Sequence, residues 1–104
     1  MARFDVHENP NPETSPTAPF LLDVQSDLLE DLATRVVVPL FHAETMGKAA
    51  SFLNPSFTIN SVPVVMSTAE QAAVPVSALG AKVETLREHQ DEIVGALNFL
   101  LTGF

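Results

Sequence analysis

A chain of 104 residues, 46% of them hydrophobic, is long enough to bury one core without disulfides or metals. It contains no cysteine, which excludes thiol catalysis, disulfide scaffolding and cysteine-containing zinc sites, and which fits a reducing compartment. Thirteen acidic residues against five basic ones give a formal net charge of -8. A surface of this charge repels phosphate backbones, so direct nucleic-acid binding is disfavoured.

The termini predict a protein that is neither exported nor inserted in a membrane. The N-terminal MARFDVHENP carries acids and a proline where a signal peptide needs an uninterrupted apolar run. The longest apolar stretch, Ile93 to Phe104, is about half the length of a membrane-spanning helix and is interrupted by Asn98. We therefore expect a single cytoplasmic domain over residues 1–104.

The N-terminal third predicts two strands separated by a loop. Apolar and polar residues alternate over Arg3 to His7 and again from Phe20 to Gln25, the period of a half-buried strand. The segment 9–19 between them is rich in proline and predicts a surface loop. The stretch Ser26 to Thr34 reads as a polar connection, although it contains Leu28 and Leu29, which an ordinary turn does not need.

The middle of the chain predicts further short strands. Arg35 to Phe41 is rich in β-branched residues and predicts a buried strand with Val36, Val38 and Leu40 on one face and Pro39 at a bulge or an unpaired position. A hairpin is predicted at 57–66 around Asn60-Ser61, followed by an extended piece at 73–76. Residues 44–53 fit either a helical turn or a loop.

After Val83 the apolar spacing becomes helical, with Leu86, Ile93, Leu97 and Leu100 at intervals near three and four. Thr85 and Glu88 form a possible capping box, so we predict a helix from about 86 to 101. Gly95 weakens this helix slightly or marks a close approach to another backbone. Strands followed by one terminal helix predict an α+β fold with an antiparallel sheet.

No residue pattern indicates catalysis, a metal or a cofactor. His7, His42 and His89 lie on separate predicted elements, and the pairing of His42 with Glu44 on one strand face arises easily by chance. The acidic residues at positions 27, 30 and 31 lack EF-hand spacing and are read as a solvated loop. No P-loop, dinucleotide fingerprint or nucleophile elbow is present. We expect a binding protein and not an enzyme.

The C-terminus carries Leu100, Leu101 and Phe104 on residues that usually fray, so something must cover them. One interpretation is that this end docks on the sheet or on a second subunit. The other is that it forms a partner-binding tip with Phe104 and Gly103 as anchors. Both hold at once in a dimer.

Four segments together resemble the CcdB family, the toxins of bacterial toxin–antitoxin pairs. In order and spacing these are FLLDVQSDLL at 20–29, RVVVPL at 35–40, AAVPVSALG at 72–80 and ALNFLLTGF at 96–104. The resemblance spans most of the chain from Phe20 to the last residue, and it is weak in the proline-rich loop and from Ala43 to Phe57.

The resemblance implies an SH3-like barrel of antiparallel strands with a C-terminal α-helix, assembled as a homodimer that brings both C-termini together. It further implies a toxin that binds the DNA gyrase A subunit, traps gyrase on cleaved DNA and is neutralised by a CcdA-like antitoxin. Carried over by position, the gyrase-binding residues are Leu28, Leu29, Asn98, Leu101, Thr102, Gly103 and Phe104.

The chain departs from the family's pattern at its end. That pattern closes with tryptophan, glycine and isoleucine, whereas this chain closes with Thr102, Gly103 and Phe104. Tryptophan is a frequent interface hot spot, so a threonine there weakens the expected contact. Two alternatives therefore stay open, a ribonuclease toxin of related fold and a CcdB-like domain without gyrase-poisoning activity.

Overall fold

A computed structural model describes residues 2–46 and 53–103. Two helices and seven strands are found in these ranges. The helices are α1 (Ala43–Met46) and α2 (Gln90–Thr102). The strands are β1 (Asp5–Glu8), β2 (Phe20–Asp23), β3 (Thr34–His42), β4 (Ser56–Ile59), β5 (Val62–Met66), β6 (Ala72–Pro75) and β7 (Lys82–Thr85). Short 3₁₀ turns lie at Asp27–Leu29, Thr68–Glu70, Val76–Ala78 and Arg87–His89.

The strands form one curled antiparallel sheet in the order β4, β5, β3, β2, β1, β7. The long strand β3 divides one of its edges between two partners. Its N-terminal half pairs with β6 from Thr34 to Val37, and its C-terminal half pairs with β5 from Leu40 to His42. This division curls the sheet into an open barrel. The α+β, SH3-like barrel with a C-terminal helix is therefore confirmed.

One face of the curled sheet, closed by α2, forms the hydrophobic core. The inner apolar face predicted for the first two strands is confirmed, because Phe4, Val6, Phe20 and Leu22 belong to the core. The predicted inner face of β3 follows the same rule. The expectation that the first two strands are half-buried is wrong, because the polar residues of the opposite face are buried as well, namely Asp5, His7, Asp23 and Gln25. The remaining core residues are Val24, Val38, Leu40, Phe57, Ile59, Val64, Met66, Leu86, Ile93 and Ala96, with Val36 and Leu97 packed against them.

Two predictions about turns and proline are confirmed. Asn60 and Ser61 have positive φ angles of 48° and 67°, the backbone of a two-residue hairpin turn, and Ile59 pairs with Val62 across it. Pro39 lies between the β6-paired and the β5-paired halves of β3. Because residue 39 is in neither of these two registers, the missing N–H of proline removes no hydrogen bond between β3 and β5 or between β3 and β6.

The prediction that the terminal helix starts at Leu86 is wrong, because α2 begins at Gln90. Before it lies β7, a strand that the sequence did not predict, which pairs with β1. The Leu86 N–H continues this pairing by donating to the Phe4 carbonyl at 2.8 Å, and residues 87–89 form a 3₁₀ turn that leads into α2. The predicted capping box is present in part, because the Thr85 hydroxyl accepts the Arg87 N–H at 3.3 Å. This bond lies at the start of the 3₁₀ turn 87–89 and not at α2, whose preceding residue His89 makes no side-chain capping bond. The end of α2, Thr102, lies one residue beyond the predicted one.

The segment 44–53 begins with helix α1, and residues 47–52 of it lie outside the described residues. In the described part of the chain, no helix combines the length and the apolar character that crossing a bilayer requires.

Candidate partner-binding site

Three leucines stand out of the surface in the connection between β2 and β3. Leu28 is 95% exposed, and Leu29 and Leu32 are each 50% exposed. Leu28 and Leu29 belong to a 3₁₀ turn, Asp27–Leu29, that buries none of its own residues. We call residues 26–29 the leucine turn. Leu28 and Leu29, the apolar residues that the sequence places in a polar connection, are thus exposed and are not part of the core.

Hydrogen bonds fix the backbone of the leucine turn. The Ser26 hydroxyl caps the turn by accepting the Leu28 N–H at 3.2 Å, and the Leu29 N–H donates to the Ser26 carbonyl at 3.0 Å. The Asp27 carboxylate accepts the Arg3 N–H at 2.7 Å, which joins the turn to the N-terminal segment. Such side-chain caps are typical of short turns whose backbone groups have no ladder partner.

A buried ion pair lies directly behind this turn. Arg35, the first buried residue of β3, donates from Nε and Nη2 to the two oxygens of Asp23 at 2.8 and 3.0 Å. Both side chains are almost fully buried. Arg35 Nη2 also lies 3.4 Å from the Gln25 carbonyl and 3.9 Å from Asp27 Oδ1. Burying two charges is tolerated only where the geometry and the additional hydrogen bonds satisfy them, and both conditions are met here.

The second exposed group is the end of α2. Asn98, Leu101, Thr102 and Gly103 are all exposed, with Leu101 at 70%, and the neighbouring Phe99 is 43% exposed. The helix closes at Gly103, whose φ of 79° is left-handed and whose N–H donates to the Phe99 carbonyl at 2.9 Å. The Thr102 hydroxyl donates to the Asn98 carbonyl at 2.7 Å. Phe104 lies outside the described residues.

The residues assigned from the sequence thus fall into two groups, the leucine turn and the end of α2. Between these groups the described residues form no hydrogen bond and no ion pair. Leu32 and Phe99 are exposed apolar neighbours that the sequence assignment missed. Leu32 could have been found from the sequence, because it is an apolar residue in a polar loop. Phe99 could not, because it lies beside the predicted apolar face of the helix and no sequence feature marks it as exposed.

The three histidines lie apart, as their sequence positions suggest. His7 is buried, and its Nδ1 lies 3.1 Å from the Gly80 carbonyl, so Nδ1 carries the donated proton because a carbonyl only accepts. His89 packs edge-on against Phe57. His42 is half-buried at the end of β3. Within residues 2–46 and 53–103, no group of three or more histidine, aspartate or glutamate side chains is placed to hold a metal ion.

Two basic side chains of the described residues lie against carboxylates. Arg35 is committed to Asp23, and Lys82 lies 3.4 Å from the buried Asp5 carboxylate. The site therefore consists of exposed apolar side chains on two hydrogen-bonded supports. This arrangement is suited to binding a protein surface by burial of apolar area.

Comparison with known families agrees with the resemblance seen in the sequence. The model of one protein family, described as CcdB protein, matches residues 3–103 of the 104-residue chain. The match includes the proline-rich loop and the region after Ala43, where the resemblance of individual segments is weak. It also includes both exposed groups up to Gly103. The chain therefore belongs to the CcdB family of toxins.

Proposed function

We propose that this CcdB family member acts in the cytoplasm by binding the DNA gyrase A subunit and trapping gyrase on cleaved DNA, and that a CcdA-like antitoxin neutralises it. Its action is binding and not catalysis. The observation that carries the proposal is the exposure of Leu28, Leu29 and Leu101 at positions that the family resemblance assigns to gyrase contact.

The leucine turn supplies a binding contribution that the fold itself does not use. Leu28 is 95% exposed, so almost its entire side chain is available for burial by a partner. Complete burial of a leucine side chain contributes about 1.5–3 kcal/mol. In known interfaces a few residues, clustered and surrounded by polar groups, supply most of the binding free energy.

We further propose that two copies associate and bring their α2 ends together, which creates one paired tip. In the single chain both Phe99 and Leu101 are substantially exposed near the end of α2, and clustered exposed apolar residues mark interaction surfaces. In a twofold dimer the same residues meet their own copies. Light scattering should give about twice the 11.2 kDa of the chain at micromolar concentration. A stable monomer at that concentration would contradict the paired tip.

The decisive experiment measures gyrase-mediated DNA cleavage and growth arrest for the intact chain and for a chain that lacks residues 102–104. We expect the intact chain to accumulate cleaved complexes and the shortened chain to produce none. The described residues removed are exposed, so the core should survive, and circular dichroism with thermal unfolding checks this. The matched control is Ser77→Ala, a change at an exposed residue far along the chain from both groups.

Four outcomes separate the alternatives. Cleaved complexes with the intact chain alone support gyrase poisoning. Their absence with gyrase of the toxin's host makes Thr102 the first residue to test, and Thr102→Trp should then restore poisoning if only the hot spot is missing. Failure of that variant leaves a family member without poisoning activity. Cleavage of RNA by the purified protein, lost on His42→Ala, would replace the proposal by a ribonuclease.

A further inference from the structure

We infer that Gln25 is a positioning residue for the leucine turn, and this inference rests on the proposed function. The side chain of Gln25 is buried, so it offers no surface to a partner. Its side chain is hydrogen-bonded to Leu29 and Val36 and not to Leu28. It acts on Leu28 by fixing the backbone of the turn that carries this leucine. The resemblance to the family assigned no role to Gln25.

The Gln25 amide joins two different parts of the fold. Its Oε1 accepts the N–H of Val36, in the middle of β3, at 3.1 Å. Its Nε2 donates to the carbonyl of Leu29, the last residue of the 3₁₀ turn, at 2.9 Å. One planar group therefore ties the exposed turn to a central strand of the barrel. Because acceptor and donor are both used, the amide has a single orientation that satisfies both ends.

The surroundings of Gln25 fix its backbone as well. Its N–H donates to Asp23 Oδ1 at 3.0 Å, and its carbonyl accepts from Arg35 Nη2 at 3.4 Å. The same Asp23 and Arg35 side chains form the buried ion pair. The ion pair thus holds the residue that in turn holds the leucine turn, so the chain of contacts runs from β2 and β3 to Leu29.

This connection matters because no residue of the 3₁₀ turn is buried in the core. Leu28 is 95% exposed. When the Gln25 bond is removed, the turn keeps its bonds at Ser26 and Asp27, and the Leu29 carbonyl keeps the Leu32 N–H at 3.2 Å. What is lost is the link between the turn and β3, so the turn moves more freely and a partner must fix it again on binding. Freezing the backbone of one residue opposes binding by a factor of about ten, so loss of the Gln25 bond should weaken binding by about that factor.

The test uses Gln25→Glu in the full chain. Glutamate has the shape of glutamine and keeps an oxygen for the Val36 N–H, but it replaces the donor to Leu29 by a second acceptor. The matched control is Glu30→Gln, the reverse change at an exposed residue of the same connection. If Gln25→Glu does not fold, Gln25→Met takes its place, because it has similar length and introduces no buried charge.

The first measurement needs no partner. Amide hydrogen exchange is compared at Leu28 and Leu29, whose N–H groups are both bonded within the turn, and at Val64 in β5. We expect exchange at the two leucines to become at least about tenfold faster in Gln25→Glu and to stay unchanged at Val64. Equal acceleration at all three sites would show general destabilisation, and unchanged exchange at the leucines would also overturn the inference.

The second measurement is a double-mutant cycle on affinity for the gyrase A subunit. Leu28→Ala should weaken binding by about 10–100-fold in the natural background, since a buried leucine is lost. In the Gln25→Glu background the same change should cost several-fold less, because the turn no longer presents Leu28 in place. Equal losses in both backgrounds would overturn the positioning role.

The two measurements separate failure of the inference from failure of the proposed function. If the natural protein does not bind the gyrase A subunit, the proposed function fails. Hydrogen exchange at Leu28 and Leu29 then still decides whether Gln25 holds the turn. A merely structural role for Gln25 would change thermal stability and exchange everywhere, and it would leave the Leu28 losses additive.

Discussion

Replacement of Gly103 by alanine tests whether the end of α2 must keep its present backbone. Gly103 has φ 79° and ψ 14°, and its N–H closes the helix by donating to the Phe99 carbonyl at 2.9 Å. A methyl group added at this position would meet no other atom within 4 Å. In the free protein, alanine therefore disfavours the left-handed backbone conformation but causes no steric clash.

The size of the effect follows from this conformation. A residue with a Cβ pays about 1–2 kcal/mol in the left-handed region, and asparagine tolerates it better than alanine does. If the partner needs the present cap, Gly103→Ala should weaken gyrase binding by about 5–30-fold, and Gly103→Asn by less. The free energy of global unfolding should hardly change, because Thr102 and Gly103 are exposed and bury no core surface.

The assay is the affinity for the gyrase A subunit, measured by calorimetry for Gly103 and its alanine, asparagine and arginine variants, with denaturant unfolding beside it. An alanine variant that binds as tightly as the natural protein would refute the need for the left-handed cap. If asparagine is as harmful as alanine, the partner requires space at Gly103 and not a conformation. Gly103→Arg should be the weakest binder, since it combines both effects with a charge in a dry contact.

Alanine substitution at two further glycines should change the free energy of unfolding in opposite directions. In Gly80→Ala the added Cβ would lie 2.6 Å from the Glu8 carbonyl oxygen, which already accepts the Gly80 N–H at 2.9 Å. Urea unfolding should show a loss of about 1–3 kcal/mol, and an unchanged midpoint would contradict this geometry. Gly95 lies exposed within α2 with nothing within 4 Å of an added Cβ, so Gly95→Ala should raise the free energy of unfolding by about 0.5–1 kcal/mol. A decrease would instead indicate that the backbone of a second subunit approaches Gly95.

Six of the seven strands were predictable because their signals are local, and β7 was not predicted. Alternation of period two placed Phe20 and Leu22 on the buried face, and a two-residue turn of Asn60 and Ser61 joined two β-branched runs. The boundaries moved by one or two residues. The α+β barrel itself followed from the family resemblance, since local patterns do not specify how β3 divides its edge between two strands.

The start of α2 could not be predicted because a distant partner decides it. Thr85 and Glu88 have the spacing of a helix start, and Leu86 fits the helical period. Strand β1 offers an edge to residues 82–85, and its Asp5 pairs with Thr85. Pairing with that edge carries the extended backbone through Leu86, whose N–H donates to the Phe4 carbonyl, so α2 begins only after the 3₁₀ turn at residues 87–89.

The candidate site divides in the same way. Leu28 and Leu29 were recognisable because apolar residues in a polar connection conflict with its composition. The residues behind them were not recognisable, because Arg35 and Asp23 are twelve positions apart and become partners only through the register of β2 and β3. Gln25 reads in the sequence as the outward residue of a strand, yet it is buried and bonded to the turn.

The ending of the chain shifts the expected weight of the contact from the helix tip to the leucine turn. Where the family's pattern has a tryptophan, Thr102 directs its hydroxyl back to the Asn98 carbonyl at 2.7 Å and adds little apolar surface. Most of the exposed apolar surface among the assigned and described residues lies on Leu28, Leu29 and Leu101. Truncation to alanine at Leu28 should therefore weaken gyrase binding more than truncation at Thr102. A reversed order would mean that a small side chain at the tip carries the contact, and the binding site would then have to be sought around Asn98 and Gly103.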